Sequence, residues 1–106
     1  VVKEDYDLAI IDFTRAIDLN PNLAEAYHNR GATYATKEDY DLAIADFTKA
    51  IDIGLNDAET YYNRGNAYLM KGDYARARSD WAEALRLDPK HANALNNLEV
   101  FRKLGY

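Results

Sequence analysis

Residues 3–22, KEDYDLAIIDFTRAIDLNPN, and residues 37–56, KEDYDLAIADFTKAIDIGLN, lie 34 positions apart and agree at 15 of 20 places. The same shift lays residues 24–31 (AEAYHNRG) on residues 58–65 (AETYYNRG), with six of eight identical. A fixed period of this size is the signature of a stacked array, in which each unit buries its apolar face only against its neighbours. Counted from Ala24, the chain divides into a half repeat at 1–23, full repeats at 24–57 and 58–91, and a terminal stretch at 92–106. It is therefore expected to be one domain cut from a longer protein. A start at VVKE, with no initiator Met, basic stretch or apolar signal segment, agrees with that expectation.

Within each unit, apolar residues fall at helical spacing on both sides of a short polar break, which predicts two helices per repeat. Tyr27, Gly31 and Tyr34 mark one face of a front helix, and Leu42, Ala43, Phe47, Ala50 and Ile51 mark the back helix. Asp5, Asp39 and Asp73 stand where N-caps are needed, and Asn22 with Glu25 and Asn56 with Glu59 have capping-box spacing. Gly72 and Pro89 punctuate the last full unit. The expected layout is six helices, ordered back, front, back, front, back, front.

Composition narrows the function. Thirteen Lys and Arg against eighteen Asp and Glu give a net charge of -5, the wrong sign for gripping nucleic acid or anionic membrane. No apolar run approaches the roughly 18 residues of a membrane span, so a soluble protein is expected. The absence of Cys removes disulfides and thiol chemistry but does not assign a compartment; the cytoplasm is favoured. The charge is lopsided: residues 1–57 hold 5 basic and 12 acidic side chains, residues 58–106 hold 8 and 6.

The offsets Tyr27, Gly31, Tyr34, Ala43, Phe47, Ala50, repeated as Tyr61, Gly65, Tyr68, Ala77, Trp81, Ala84 and Pro89, resemble those of the tetratricopeptide repeat (TPR). Ala9, Phe13, Ala16 and Pro21 continue them into the half repeat. The resemblance covers the whole chain. It implies an all-α fold, a right-handed superhelical array of antiparallel helix pairs (an α-solenoid), whose front helices line a concave groove for protein or peptide ligands.

Three departures stand out. Arg30 and Arg64 occupy a place that is usually apolar, and a buried guanidinium needs an anionic partner. Asp46 and Asp80 are expected to supply it, with Asp12 as a cross-repeat alternative for Arg30. Leu55 replaces Pro21 and Pro89, after Gly54, which predicts a looser turn. Glu99 replaces Gly31 and Gly65, which suits a terminal capping helix.

Asn29, Asn63 and Asn97, each 34 residues from the next, are expected to form a ladder in the groove, donating to and accepting from a ligand backbone. The arrangement is similar to the asparagine ladder of O-linked N-acetylglucosamine transferases. The alternative for each is a bond to its own helix or to water. Glu25, His28, Ala32 and Thr36, then Glu59, Tyr62, Asn66 and Met70, then Asn93, Asn96 and Val100, are the other residues expected along the groove, Met70 more as packing than as site. Chaperone-binding relatives clamp a terminal carboxylate with cations; His28, Asn63, Asn93 and Asn97 stand at those places, so a heat-shock clamp is not expected.

No catalytic residue, metal or cofactor is expected. His28 and His91 lie 63 residues apart, both are read as surface residues, and the acidic residues follow the repeat. The reading is thus a protein-interaction scaffold and not an enzyme; the alternative is a regulatory or substrate-selecting array of a larger enzyme such as a glycosyltransferase. Leu8, Ala9 and Phe13 are expected to be partly uncovered, so self-association through the terminal helices, by stacking or helix exchange, is expected as well.

Overall fold

The computed structural model describes residues 3–106, so Val1 and Val2, where the half repeat begins, lie outside the described residues. Six helices account for the regular structure there: α1 (Lys3–Leu19), α2 (Ala24–Thr36), α3 (Tyr40–Ile53), α4 (Ala58–Met70), α5 (Tyr74–Leu87) and α6 (Ala92–Leu104). None is long and apolar enough to cross a membrane. They gather into two compact units, residues 1–55 with α1 to α3 and residues 56–106 with α4 to α6.

In the first unit α2 lies between α1 and α3, its widest contact being with α3. The core consists of Ile17, Ala26, Ala43, Phe47 and Ala50, all buried. In the second unit α5 packs against both α4 and α6. Its core joins Ala77, Trp81, Ala84, Ala94 and Phe101, with the Trp81 and Phe101 rings edge-to-face at 4.8 Å. Complete burial of a ring such as Phe47 contributes about 2–3 kcal/mol, and Phe47 in the first unit and Trp81 in the second are the largest fully buried side chains.

Each hairpin closes through a residue in the left-handed region. Gly72 has φ +81° and the N–H of Asp73 bonds the carbonyl of Tyr68 at 3.0 Å. One period earlier the same bond, Asp39 N–H to Tyr34 carbonyl, is 2.9 Å, but Glu38 takes the φ of +66°. A second device closes α3: Gly54 is left-handed at φ +117°, and the Leu55 N–H reaches the Ala50 carbonyl at 3.1 Å. The turn expected to be looser for want of proline is therefore a bonded C-cap, because glycine supplies the same stop by another route.

Start signals are where the sequence reading needs correction. Asp5 lies inside α1, which begins at Lys3. Asp39 and Asp73 are N-caps, yet only Asp73 accepts a side-chain cap bond, from the Arg76 N–H. The capping boxes at Asn22 and Asn56 do not form. Leu23 and Asp57 occupy the N-cap positions, and Asp57 accepts from the Glu59 N–H at 3.1 Å. Caps depend on the backbone dihedrals of one residue, and residue spacing does not encode them.

The helix pairs approach closely at Gly31 and Gly65. A Cβ at Gly31 would meet Asp46 Cβ and the Phe47 ring at 3.1 Å. At Gly65 it would meet the Trp81 indole at 2.7 and 2.8 Å, inside any real carbon contact. Gly65→Ala is expected to lower the unfolding free energy by about 3 kcal/mol and Gly31→Ala by about 1 kcal/mol, read from urea denaturation. Equal losses at the two sites would contradict the packing described.

Candidate functional site

The front helices α2 and α4 share the pattern Tyr-x-x-Arg-Gly-x-x-Tyr. Residues three before and four after a helical position lie on its face, so each arginine is set between two tyrosines. The Arg30 guanidinium carbon is 5.6 Å from the Tyr27 ring centre and 5.9 Å from that of Tyr34. Arg64 stands at 5.5 Å from Tyr61 and 5.9 Å from Tyr68.

Beneath each guanidinium is a nearly buried carboxylate on the following back helix. Arg30 donates through Nε and Nη2 to Asp46 at 2.8 Å each, and Arg64 donates in the same way to Asp80 at 2.8 and 2.7 Å. These hydrogen bonds raise the pKa of both arginines above the ordinary value, with burial opposing. The third Arg30 contact is Nη1 to Thr14 Oγ1 at 3.2 Å. The cross-repeat partner on α1 is thus Thr14 and not Asp12, which lies on the exposed side of α1. No buried side-chain nitrogen or oxygen among the described residues lacks a partner.

The asparagines at the 34-residue spacing differ in setting. Asn29 is exposed on α2, and Asn63 on α4 and Asn97 on α6 are half-buried. Asn97 borders a cleft of about 130 Å³ whose other walls are Leu69, Trp81, Val100 and Phe101. Glu25 and Asn93 are exposed in the first turns of α2 and α6. The half-buried His28 ring stands 5.7 Å from Phe47. Met70 is 60% exposed, so its expected packing role is not what the chain uses it for.

Three residues expected in the groove are tied into the framework. Asn66 accepts the indole N–H of Trp81 at 3.1 Å. In the preceding repeat the same two positions are Ala32 and Phe47, a pair with no donor to satisfy. Glu59 and Tyr62 both engage His91: Glu59 Oε1 is 2.6 Å from Nε2, and the Tyr62 ring lies 4.7 Å from the imidazole. His91 is therefore not the surface residue expected from the sequence; it is 8% exposed and is the N-cap of α6, its Nδ1 accepting the Ala94 N–H at 3.1 Å. An Nδ1 that accepts requires the proton on Nε2, which then donates to Glu59. The overlooked signal is position: His91 stands one period after Asp57, another N-cap.

Family models described as Tetratricopeptide repeat match residues 24–54 and 58–91, and one described as TPR repeat matches residues 2–38. The Arabidopsis OM64 TPR domain is 31% identical with a TM-score of 0.89, the match covering 94% of this chain and 83% of that one. The chain belongs to the tetratricopeptide repeat family. Its fold is also that of the first TPR of Spaghetti (RPAP3) bound to the HSP90 peptide SRMEEVD, 24% identical with a TM-score of 0.90, over 96% of this chain and 81% of that one. YrrB, a TPR protein with an unusual peptide-binding site, is 28% identical with a TM-score of 0.82; the match takes in 91% of this chain and 50% of YrrB. No protein among those of curated function matches the sequence.

The two embedded polar pairs of this TPR chain make separate predictions. Arg64→Leu leaves Asp80 buried without its cation and should cost about 3 kcal/mol, while Arg64→Leu with Asp80→Leu should recover most of that loss. Asn66→Ala should cost about 1–2 kcal/mol in the native background and close to nothing in Trp81→Phe, where no indole N–H remains. Chemical denaturation of the double-mutant cycles measures both; an additive cycle for Asn66 and Trp81 would disprove their coupling.

Proposed function

We propose that this TPR domain is a protein-interaction scaffold whose front helices α2, α4 and α6 each offer a face to a peptide segment or helix of a partner protein. The observation that carries the reading is the cleft bounded by Asn97, where Trp81, Phe101, Leu69 and Val100 offer an apolar seat beside an amide. An apolar ligand side chain enters the seat, and the amide donates to and accepts from the adjoining backbone. Asn29 and Asn63 occupy the same repeat position as Asn97 and serve the same end on their helices. Glu25, His28 and Asn93 flank them, while Glu59, Tyr62 and Asn66 contribute through the framework bonds they make.

The membership of the family supports a protein partner, and the peptide bound by the Spaghetti domain supports a peptide as the ligand class. A terminal carboxylate is not the anchor in this proposal. His28, Asn63, Asn93 and Asn97 stand where a clamp needs permanent cations. Nothing in the comparisons favours an array attached to a larger enzyme.

Peptides selected from a random library on the immobilised domain should share an apolar residue, and calorimetry should show their affinity falling at least about tenfold in the triple variant Asn29→Ala, Asn63→Ala, Asn97→Ala. Val100→Glu, which puts a charge into the cleft wall, should have an effect of similar size. Unchanged affinity in both variants would remove the front helices from the site.

A further inference from the structure

Three residues one period apart, Leu23, Asp57 and His91, are the N-caps of α2, α4 and α6, and each ends its helix differently. Leu23 makes no side-chain cap bond, Asp57 accepts the Glu59 N–H through a carboxylate, and His91 accepts the Ala94 N–H through imidazole Nδ1 at 3.1 Å. A carboxylate stays ionised, and an acceptor, above about pH 5. An imidazole loses its acceptor when it takes up a proton, and it is the side chain whose charge changes between about pH 5 and 8.

We infer that His91 is a proton-operated latch on α6, closed when the ring is neutral and released when it is protonated. The added proton enters at Nδ1, since Nε2 already carries the one that Glu59 accepts. Nδ1–H then faces the Ala94 N–H, donor against donor, at a helix end where a cation is also unfavourable. The bond that breaks is tied to the core, because Ala94 is completely buried in the same cluster as Trp81 and Phe101. Docked α6 is thus linked to the neutral ring, and acidification favours an open first turn. α6 supplies Asn97, Val100 and Phe101 to the cleft, so its release weakens ligand binding; this last step alone rests on the cleft being the peptide seat proposed above.

The ionisable groups on the elements around the ring are Glu59 and Tyr62 on α4, and Asp88 and Lys90 in the turn before α6; the first turn of α6 carries none. Asp88 is engaged within its own turn, its side chain accepting the Lys90 N–H at 3.1 Å and its carbonyl the His91 N–H at 3.0 Å. Glu59, 2.6 Å from Nε2, attracts an imidazolium and so opposes release. Two facts limit that attraction. The Glu59 side chain is 58% exposed, so water screens the pair, whereas the cap bond that is lost is buried. The bond from Nε2–H is also present in the neutral ring, so protonation adds charge there but no new bond.

His91→Asp puts at this cap the carboxylate that Asp57 provides one period earlier, and removes the titrating group. Between about pH 7.5 and about pH 5.5, the melting temperature of the native chain should fall by on the order of 5 °C more than that of His91→Asp. His28 is common to both proteins and cancels. His91→Asn, an uncharged cap, should behave as His91→Asp does. Over the same interval the NMR signal of the Ala94 amide and the fluorescence of Trp81, the sole tryptophan, should move in the native chain and hold still in both variants. Glu59→Gln keeps an acceptor for Nε2–H without the opposing charge and should enlarge the fall. A histidine-free peptide selected on the native chain should bind it about threefold to tenfold more weakly at the lower pH, and bind His91→Asp equally at both. Equal falls in the native chain and the two cap variants, or a fall abolished by Glu59→Gln, overturn the latch. If melting and Ala94 respond as expected while peptide affinity does not change, the latch stands and the cleft is rejected as the ligand's seat.

Discussion

The contact between a glycine on a front helix and an aromatic ring on the next back helix sets the geometry from which the rest of each hairpin follows. With no Cβ at Gly31 and Gly65, the backbone of α2 and α4 comes down onto Phe47 and Trp81. The buried faces of α3 and α5 around these rings are completed by Ala43, Ala50, Ala77 and Ala84, all without measurable exposure. The residue next to each glycine is carried to the same interface. If it is polar, it must find its partner there, and the pairs of Arg30 with Asp46 and Arg64 with Asp80 are the result. Such pairs contribute little net stability beyond an apolar substitute, but they penalise any other register of the two helices, because a shift leaves a carboxylate buried alone.

Much of this was legible in the sequence because it is repeated. The period shows which positions correspond, and helical spacing shows which of them face inward, so the six helices and the choice of Asp46 and Asp80 as partners needed no coordinates. The caps were not legible. Asn22 and Asn56 have the spacing of capping boxes, yet the chain enters α2 and α4 through Leu23 and Asp57, since a cap is decided by the dihedrals of a single residue. Asn66 and His91 escaped for a different reason. Asn66 was read by its place in the repeat alone and His91 by its distance from His28, whereas each role comes from a partner elsewhere: Trp81 for Asn66, and Glu59 with the α6 backbone for His91. The candidate site divides in the same way, with Asn97 and its apolar neighbours brought together and Glu59, Tyr62 and Asn66 held within the framework.

The pairing of Asn66 with Trp81, against Ala32 with Phe47, has a consequence for how such a chain can change over generations. Tandem segments as similar as these invite unequal crossover in their coding DNA. A crossover falling outside the interval from the Asn66 to the Trp81 position would exchange the pair whole and preserve the hydrogen bond between amide and indole. One falling inside it would join Ala to Trp, burying an indole N–H with no acceptor, or Asn to Phe, leaving an amide without its donor. Two compensating differences fifteen residues apart therefore act as a marker of descent. They give each repeat an individuality that recombination inside the hairpin would erase, at the expense of the fold.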